Sequence, residues 1–282
     1  MAGLVLEGGS FRTCFTLGAL DALLENDLLF PYVIGVSAGA CAATSYMSKQ
    51  HHRGIDVFLK YRNEKAYESL GNFKNEGSIF GIKFIYETIP NELELFDYDA
   101  FKNYPGNLEV VVTDAKTGEA HYLNGKAYDY HNDQFKATCS LPGVFPGVIL
   151  DGRRYFDGGI ADSIPLLRSN KKGNEYNLVI LTRPKGYRRS LDTKTKAVIK
   201  LMEKKYPNLS EALKNRPAMY NGQLDYLNKS IAKGKTIALY PSKAYKDTES
   251  DPSKMLEAYK DGYEAALLNL EVIKKIYHHQ TI

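Results

Sequence analysis

The sequence predicts an α/β fold in which a mainly parallel sheet carries helices on its faces. Two successive strand, turn and helix units lie within the first fifty residues, which is typical of parallel sheets. The 282 residues are 44% hydrophobic, which suffices for a substantial core. They contain no internal repeat, low-complexity tract or clear linker. We therefore expect one domain over residues 1–282.

The first unit begins with the apolar strand "GLVLEGG" and continues as a helix. Apolar residues at steps of three and four define one buried face of this helix: Cys14, Leu17, Leu20, Leu24 and Leu28. In the second unit, the strand and turn "PYVIGVSAG" lead into "ACAATSYMSK", a helix of small residues. Ligands gather at the carboxyl ends of parallel strands, so both glycine-containing turns mark the predicted site.

Further strands are predicted downstream of an irregular, helical stretch from His51 to about Tyr104. "LEVVVTDAKTG" is a buried strand, and "EAHYL" is its hairpin partner. A turn at Asp151 and Gly152 joins "GVIL" to "RRYF", so the strand ending at Phe156 carries Asp157 at its tip. "YNLVILTRP" and "KTIALYPS" complete the sheet.

The last predicted element is one terminal helix, which Asp251 caps and Pro252 begins. Its periodicity predicts that five side chains face inward: Met255, Tyr259, Ala266, Leu270 and Ile273.

Composition excludes several classes of protein. The three cysteines are widely spaced, which indicates neither a disulfide framework nor a metal site. The N-terminus lacks a basic region, and no apolar run reaches the length of a membrane span. We therefore expect a cytoplasmic protein. A net charge of +4 without a recognition motif does not indicate nucleic acid binding.

Ser37 in "YVIGVSAGAC" lies between Gly35 and Gly39. A serine nucleophile on a sharp strand-to-helix turn needs small neighbours, because strand and helix pass closely there. The same residues could also form an ordinary tight turn into an alanine-rich helix. The pentapeptide alone leaves both interpretations open.

A serine nucleophile requires a base, and Asp157 is the better candidate. None of the six histidines lies beside a recognisable acid-bearing turn, and only His278 and His279 follow Asp157. Asp157 precedes Gly158 and Gly159, which allow close backbone approach, although "DGG" alone is often a simple turn. The hypothesis is a Ser-Asp dyad, in which burial must raise the pKa of the carboxyl toward neutrality.

Backbone amides in "EGGSFR" are the candidate oxyanion hole, since they follow a strand and begin a helix. The candidates are Gly8, Gly9 and Ser10. The alternative is a nucleotide-binding turn. That alternative is disfavoured because the dinucleotide and Walker spacings of glycine are both absent.

Three segments, in order and spacing, resemble the patatin-like phospholipase family: "LEGGSFRTCFTLGALDAL", "VIGVSAGACAA" and "ATCSLPGVFPGVILDGRRYFDGGIADSIPL". The resemblance implies a three-layer α/β/α fold that hydrolyses acyl esters of lipids with Ser37 and Asp157, without a metal or cofactor. The motif-bearing core covers about 3–184, and the helical, basic part 185–282 is similar to bacterial cytoplasmic members. The residues assigned to support the motifs are Arg12, Gly35, Gly39, Gly158 and Gly159.

Ser10 and Thr13 stand where the family usually has glycine. The Ser10 amide survives the substitution, whereas branched Thr13 could constrict the acyl pocket. The principal alternative is therefore a weakly active or non-catalytic regulatory protein that binds lipid or acyl groups. A triad hydrolase is a second alternative, and it would require one essential histidine.

The expected substrate is a phospholipid or another acyl ester. The segment 185–216 holds ten Lys and Arg against three Asp and Glu, with apolar residues between them. Such a segment could touch an anionic membrane surface peripherally, or it could be a solvated helix packed on the core.

Overall fold

A computed structural model describes residues 1–127 and 130–282. The strands are β1 Ala2–Leu6, β2 Tyr32–Val36, β3 Asn107–Asp114, β4 Ala120–Asn124, β5 Val148–Leu150, β6 Arg153–Asp157, β7 Tyr176–Ile180 and β8 Thr236–Leu239. The α-helices are α1 Cys14–Glu25, α2 Ala38–Met47, α3 Arg53–Tyr61, α4 Leu70–Glu76, α5 Tyr98–Asn103, α6 Asp133–Thr138, α7 Leu166–Lys171, α8 Thr193–Glu203, α9 Pro207–Ala232, α10 Pro252–Leu268 and α11 Leu270–Tyr277. A π-helix spans Phe84–Leu93, and short 3-10 turns span Ser10–Thr13 and Gly158–Ile160.

In the described part of the chain, the strands form one eight-stranded sheet of order β5-β6-β3-β2-β1-β7-β8, with β4 paired to β3. β1 pairs in parallel with β2 and β7, β2 with β3, and β7 with β8. The pairings of β4, β5 and β6 are antiparallel. The predicted mainly parallel sheet is confirmed.

Both faces of the sheet are buried, as a three-layer arrangement requires. Leu4 and Leu6 of β1 join the cluster formed with α1, α2 and α10, whereas Val5 joins the cluster formed with α7 and α9. β7 alternates in the same way, with Leu178 on one side and Val179 on the other. Successive residues of a strand point to opposite faces, so one continuous apolar run fills both cores.

Two predicted helix details were wrong. α1 ends at Glu25, so Leu28 is buried but lies beyond the helix. The terminal helix is interrupted at Asn269, which separates α10 from α11 and donates its side-chain amide to the Ala265 carbonyl at 2.8 Å. A side chain that bonds a backbone carbonyl of the preceding turn competes with continued helix, and periodicity of apolar residues does not register this.

The basic segment 185–216 divides between a loop, α8 and the first turns of α9. Its side chains differ in environment: Ile199 is buried, Leu201 is 63% exposed, and Arg188 pairs with Asp225 on the surface. Contact of this segment with a membrane stays a prediction. Within residues 1–127 and 130–282, no helix combines the length and apolar character needed to cross a bilayer.

Helices α1 and α10 cross at two glycines with almost no space between their backbones. A Cβ at Gly18 would lie 1.9 Å from the Tyr259 carbonyl oxygen, and a Cβ at Gly262 would lie 1.8 Å from that of Phe15. Both obstacles are backbone atoms, so a methyl group at either glycine must separate the helices.

We expect Gly262→Ala to lower the free energy of unfolding by at least about 1–3 kcal/mol, because it overpacks this crossing. Gly222→Ala is the matched control, since Gly222 also lies in a helix but has no atom within 4 Å of its would-be Cβ. That control should gain about 0.5–1 kcal/mol from helix propensity. Urea denaturation measures both, and equal stabilities of the two variants would contradict the crossing geometry.

Candidate active site

Ser37 occupies a strained turn between β2 and α2. Its backbone has φ 52° and ψ −132°, which an L-residue adopts only when packing enforces it. The flanking glycines account for that packing. A Cβ at Gly35 would lie 2.5 Å from Ala40 Cα, and a Cβ at Gly39 would lie 2.5 Å from the Glu7 carbonyl oxygen. The strand and helix therefore pass too closely for any larger residue.

Thr138 holds the turn in place. The Ser37 amide donates to Thr138 Oγ1 at 2.8 Å, and the Thr138 hydroxyl donates to the Val111 carbonyl at 2.5 Å. Thr138 is fully buried, so no water competes for these bonds. The sequence alone does not mark Thr138 as a site residue, because a lone threonine in "FKATCSLPG" carries no motif.

The pairing register of β3 brings Ser37 and Asp157 together. β2 ends with Val36 opposite Val111, and β6 ends with Asp157 opposite Val112. β4 occupies the other edge of β3 along the same residues, so β2 and β6 must lie on one shared edge and meet end to end. The predicted serine and aspartate therefore adjoin across the gap between two strand ends.

Asp157 is buried, with 2% of its surface exposed. Its Oδ1 accepts a hydrogen bond from the Gly159 amide at 2.8 Å, and its own amide donates to the Ser140 carbonyl at 2.9 Å. Burial raises the pKa of the Asp157 carboxyl, opposed first by the positive charge of Arg216 and then by the Ser37 hydroxyl and the Gly159 amide. The pKa shift has the direction that a carboxylate base requires.

Arg216 is a charged neighbour of Asp157 that no sequence motif marks as a site residue. A Cβ at Gly159 would lie 2.9 Å from Arg216 Nη2 and 3.1 Å from Asp157 Oδ1, so both charged groups flank this glycine. Burial lowers the pKa of Arg216 to about 10, and the charge of Arg189 acts in the same direction. At neutral pH, Arg216 is therefore a cation, and it lies near the buried carboxyl group of Asp157.

The turn after β1 approaches Ser37 directly. A Cβ at Gly8 would lie 2.8 Å from Ser37 Cβ, and one at Gly9 would lie 2.7 Å from Thr182 Oγ1. Within residues 1–127 and 130–282, the amides of Gly9 and Ser10 have no hydrogen-bond acceptor. The predicted oxyanion donors are thus unoccupied, and they lie beside the serine.

Ser10 and Thr13 depart from glycine with different structural consequences. Ser10 has φ 49°, in the left-handed region where glycine costs least, so the serine there is strained. Thr13 has an ordinary helical backbone and is buried against the apolar cavity described below. The Ser10 amide therefore remains available to an acceptor. Thr13 lines the apolar cavity, so its side chain is in a position to constrict the pocket as predicted.

Glu7 stabilises the turn after β1, although no sequence motif marks it as a site residue. It is buried, its Oε2 accepts from the Thr182 amide at 2.7 Å, and its Oε1 accepts from the Tyr220 hydroxyl at 2.7 Å.

Arg12 forms a 2.8 Å ion pair with Asp247, which connects the segment just before α1 to the loop after β8. Gly158, packed against the Val111 carbonyl, admits no Cβ either.

Two cavities of different character meet at Ser37. The apolar cavity has a volume of about 220 Å³ and is lined by aromatic and aliphatic side chains of α2, α3 and the π-helix. The polar cavity has a volume of about 320 Å³ and contains Asp157 and several arginines. Ser10, Ser37 and Leu141 line both. A molecule with one apolar and one polar end would place the atom between those ends at the serine.

All six histidines belong to the described residues, and none lines either cavity. In that same part of the chain, His, Cys, Asp and Glu nowhere form a cluster of three or more that could hold a metal ion. The titratable groups that line the two cavities include the Asp157 carboxyl, guanidinium groups and the thiols of Cys41 and Cys139.

Comparison with known protein families identifies the family to which the chain belongs. The model of the patatin-like phospholipase family matches residues 4–168, more than half of the chain, including Ser37 and Asp157. The chain belongs to the patatin-like phospholipase family. A separate model, a domain of unknown function, matches residues 206–278, which include Arg216 and α10.

Two of three similar proteins are named as a lipid hydrolase or a lipase. An uncharacterized protein of Escherichia coli (strain K12), YjjU, is 25% identical over 64% of this chain and 52% of its own length. A probable lipid hydrolase, 463L of Invertebrate iridescent virus 6, is 23% identical over 67% and 72%. Triacylglycerol lipase 4 of Saccharomyces cerevisiae is 26% identical over 62% and 23%. The chain thus spans about half the length of the first of these relatives.

A solved structure shares the fold. VipD from Legionella pneumophila matches with a TM-score of 0.51 and 14% identity, over 96% of this chain and 66% of that one. The likeness extends beyond the family match at residues 4–168 and covers the C-terminal helices as well.

We expect Thr138→Val to destabilise the protein by about 1–3 kcal/mol, because it leaves the Ser37 amide without its acceptor and the buried Val111 carbonyl without its donor at nearly unchanged side-chain volume. Thr138→Ser, which keeps the hydroxyl, is the matched control and should lose much less. Thermal or urea unfolding measures the difference. Equal losses in the two variants would mean that the hydroxyl does not support the turn.

Proposed function

We propose that this protein is a serine lipid acyl hydrolase, a carboxylic ester hydrolase of phospholipase A or esterase type, with Ser37 as nucleophile and Asp157 as base. The observation that carries the proposal is the end-to-end meeting of β2 and β6, which sets a strained serine beside a buried carboxylate. Family membership and relatives named as lipid hydrolases or lipases support an acyl ester as substrate.

In the proposed first step, Asp157 accepts the Ser37 hydroxyl proton while Oγ forms a bond to the acyl carbon. The carbonyl electron pair moves to oxygen, and the resulting oxyanion accepts hydrogen bonds from the Gly9 and Ser10 amides. Collapse of this intermediate breaks the ester bond, and the leaving alkoxide takes the proton from Asp157. The acyl chain occupies the apolar cavity throughout.

In the second step, water attacks the acyl-serine. Asp157 accepts a proton from the water and then returns it to Ser37 Oγ as the acyl bond breaks. The products are a fatty acid and the original enzyme. No histidine takes part, in keeping with the linings of the two cavities.

The strained backbone of Ser10 supports a second candidate function, that of a protein that binds lipid but hydrolyses it weakly or not at all. A fluorophosphonate reacts covalently with an activated serine and leaves an unactivated one unmodified. Stoichiometric labelling of wild-type protein, absent in Ser37→Ala, would favour the enzyme. Absence of labelling would favour the binding protein.

We also propose that residues 1–282 form a single domain. β7 and β8 extend the sheet begun by β1, and α10 packs on α1 through the glycine crossing. Arg216 of α9 reaches the aspartate of the dyad from the C-terminal part. The site therefore draws on both regions that the family models match.

We expect Ser37→Ala to reduce hydrolysis of a short-chain chromogenic ester to background, and Asp157→Asn to reduce kcat by about 10²–10⁴. Asp157→Asn should unfold at or above the wild-type temperature, because it removes a buried carboxylate whose pKa is raised. His121→Ala is the control and should keep wild-type turnover. Full activity in Ser37→Ala would refute the assignment.

The pH profile tests the role of Arg216. Activity should fall as pH drops through the raised pKa of Asp157, since only the carboxylate is a base. Arg216 lowers that pKa, so Arg216→Gln should raise it and move the acid limb of kcat/KM to higher pH. Arg188→Gln, which removes an exposed arginine paired with Asp225, should leave the limb in place. An unmoved limb in Arg216→Gln would contradict the electrostatic effect of Arg216 on the pKa of Asp157.

A further inference from the structure

Three arginines line the polar cavity without an ion-pair partner within 4 Å in residues 1–127 and 130–282: Arg183, Arg189 and Arg216. The Nε atom of each is buried and has no hydrogen-bond partner there. We call these three residues the arginine cluster. A buried cationic donor that is left unsatisfied costs free energy, so the cluster calls for a ligand with several strong acceptors.

Aromatic rings fix two of these guanidinium groups. Arg183 lies 4.7 Å from the centre of the Tyr187 ring, and Arg189 lies 4.7 Å from that of Tyr220. The Arg189 backbone is also held, because its amide donates to Asn221 Oδ1 at 2.9 Å and its carbonyl accepts from Asn221 Nδ2 at 3.0 Å. Stacking on a ring leaves the N–H edge of a guanidinium free, in a planar arrangement that suits phosphate.

The charges of the cavity also favour an anion. Burial is the main cause of the lowered pKa values of Arg216 and Arg12, and the positive charges of Arg189 and Arg183, respectively, act in the same direction. Like charges therefore lie near one another in this cavity. The carboxylates of this cavity have hydrogen-bond or ion-pair partners outside the cluster: Glu7 binds Thr182 and Tyr220, Asp192 accepts from the Thr195 amide, Asp247 pairs with Arg12, and Asp157 accepts from the Gly159 amide. Beyond 4 Å, Arg216 and Arg189 act on Asp157, Arg183 acts on Asp247 and Arg189 acts on Asp192, so these carboxylates offset part of the positive charge. An anion between the arginines would relieve this repulsion.

The position of the cluster relates it to the reacting ester. The polar and apolar cavities meet at Ser37, so a substrate whose acyl chain fills the apolar cavity directs its alcohol portion into the polar cavity. We infer that the arginine cluster binds a phosphate group, and that on an acyl lipid this is the phosphate attached to the alcohol portion. This inference rests on the proposed function and adds the residues that would bind the polar end of the substrate and select phosphate-bearing over neutral acyl lipids.

The cluster lies outside residues 4–168, so it is not part of the region that the patatin-like family model matches. Arg183 and Arg189 follow β7, and Arg216 lies in α9. Specificity for the polar end of the substrate would therefore come from a different part of the chain than the dyad and the oxyanion amides.

Calorimetry with decyl glycerol ether phosphate and with the same ether lacking phosphate tests the inference in wild-type protein. We expect the phosphate-bearing ether to bind about 10- to 100-fold more tightly, as charge-assisted hydrogen bonds imply. Arg183→Gln and Arg189→Gln should each remove most of this preference. Arg189→Lys should remove part of it, because lysine keeps the charge without the planar edge. Equal binding of the two ethers would overturn the inference.

Arg188→Gln is the matched control. Arg188 neighbours Arg189 in sequence, but its guanidinium pairs with Asp225 and its side chain is 51% exposed. The phosphate preference should persist in this variant. If it disappeared there as fully as in Arg189→Gln, general surface charge would explain the binding and the cluster would not.

Inorganic phosphate distinguishes the two sources of the same chemical group. Free phosphate that binds as tightly as the ether phosphate would support the phosphate site but overturn its assignment to a lipid. Neither ether can be hydrolysed, so failure of the proposed hydrolysis would leave the binding result intact. Conversely, a hydrolase that bound both ethers equally would keep the proposed function and refute only the cluster.

Discussion

The shared edge of β3 is the constraint on which the site depends. Val111 and Val112 are consecutive, yet the first pairs with the end of β2 and the second with the end of β6. A shift of one residue in either pairing would turn the side chains at the strand ends to the opposite face of the sheet. Thr113 fixes β6 by donating to the Asp157 carbonyl at 2.8 Å, and Thr138 fixes Ser37 to the Val111 carbonyl. Backbone pairing therefore brings the backbones of Ser37 and Asp157 close together, whichever rotamers their side chains adopt.

Two serines with strained backbones lie at the carboxyl ends of neighbouring parallel strands. Ser37 and Ser10 both have positive φ, and each lies where glycines allow another backbone to approach. Such conformations persist only when the surroundings over-determine them. Glu7 supplies part of that support, since its two carboxylate oxygens hold Thr182 and Tyr220 against the turn. Both strained residues line the two cavities that meet at Ser37.

Charge divides the surroundings of Ser37 into two parts. On one side the lining is apolar, and on the other, arginines from the C-terminal part of the chain surround a buried carboxylate. Arg216 connects the two regions that separate family models match, because it belongs to the second and acts on Asp157 in the first. The C-terminal helices thus contribute electrostatics to a site whose motifs all lie before residue 168.

The sequence by itself determined the mainly parallel α/β sheet, both glycine turns and the candidates Ser37 and Asp157, because each depends on local periodicity or on small residues beside a strand. Roles for this pair remain proposals. Only the tertiary structure placed Thr138 under Ser37 and Arg216 beside Asp157, since both contacts join residues distant in the chain and neither residue carries a motif. The break at Asn269 also required the structure. Local sequence patterns specify helices, strands and turns. In contrast, the helix that packs over a buried charge decides which residue interacts with that charge.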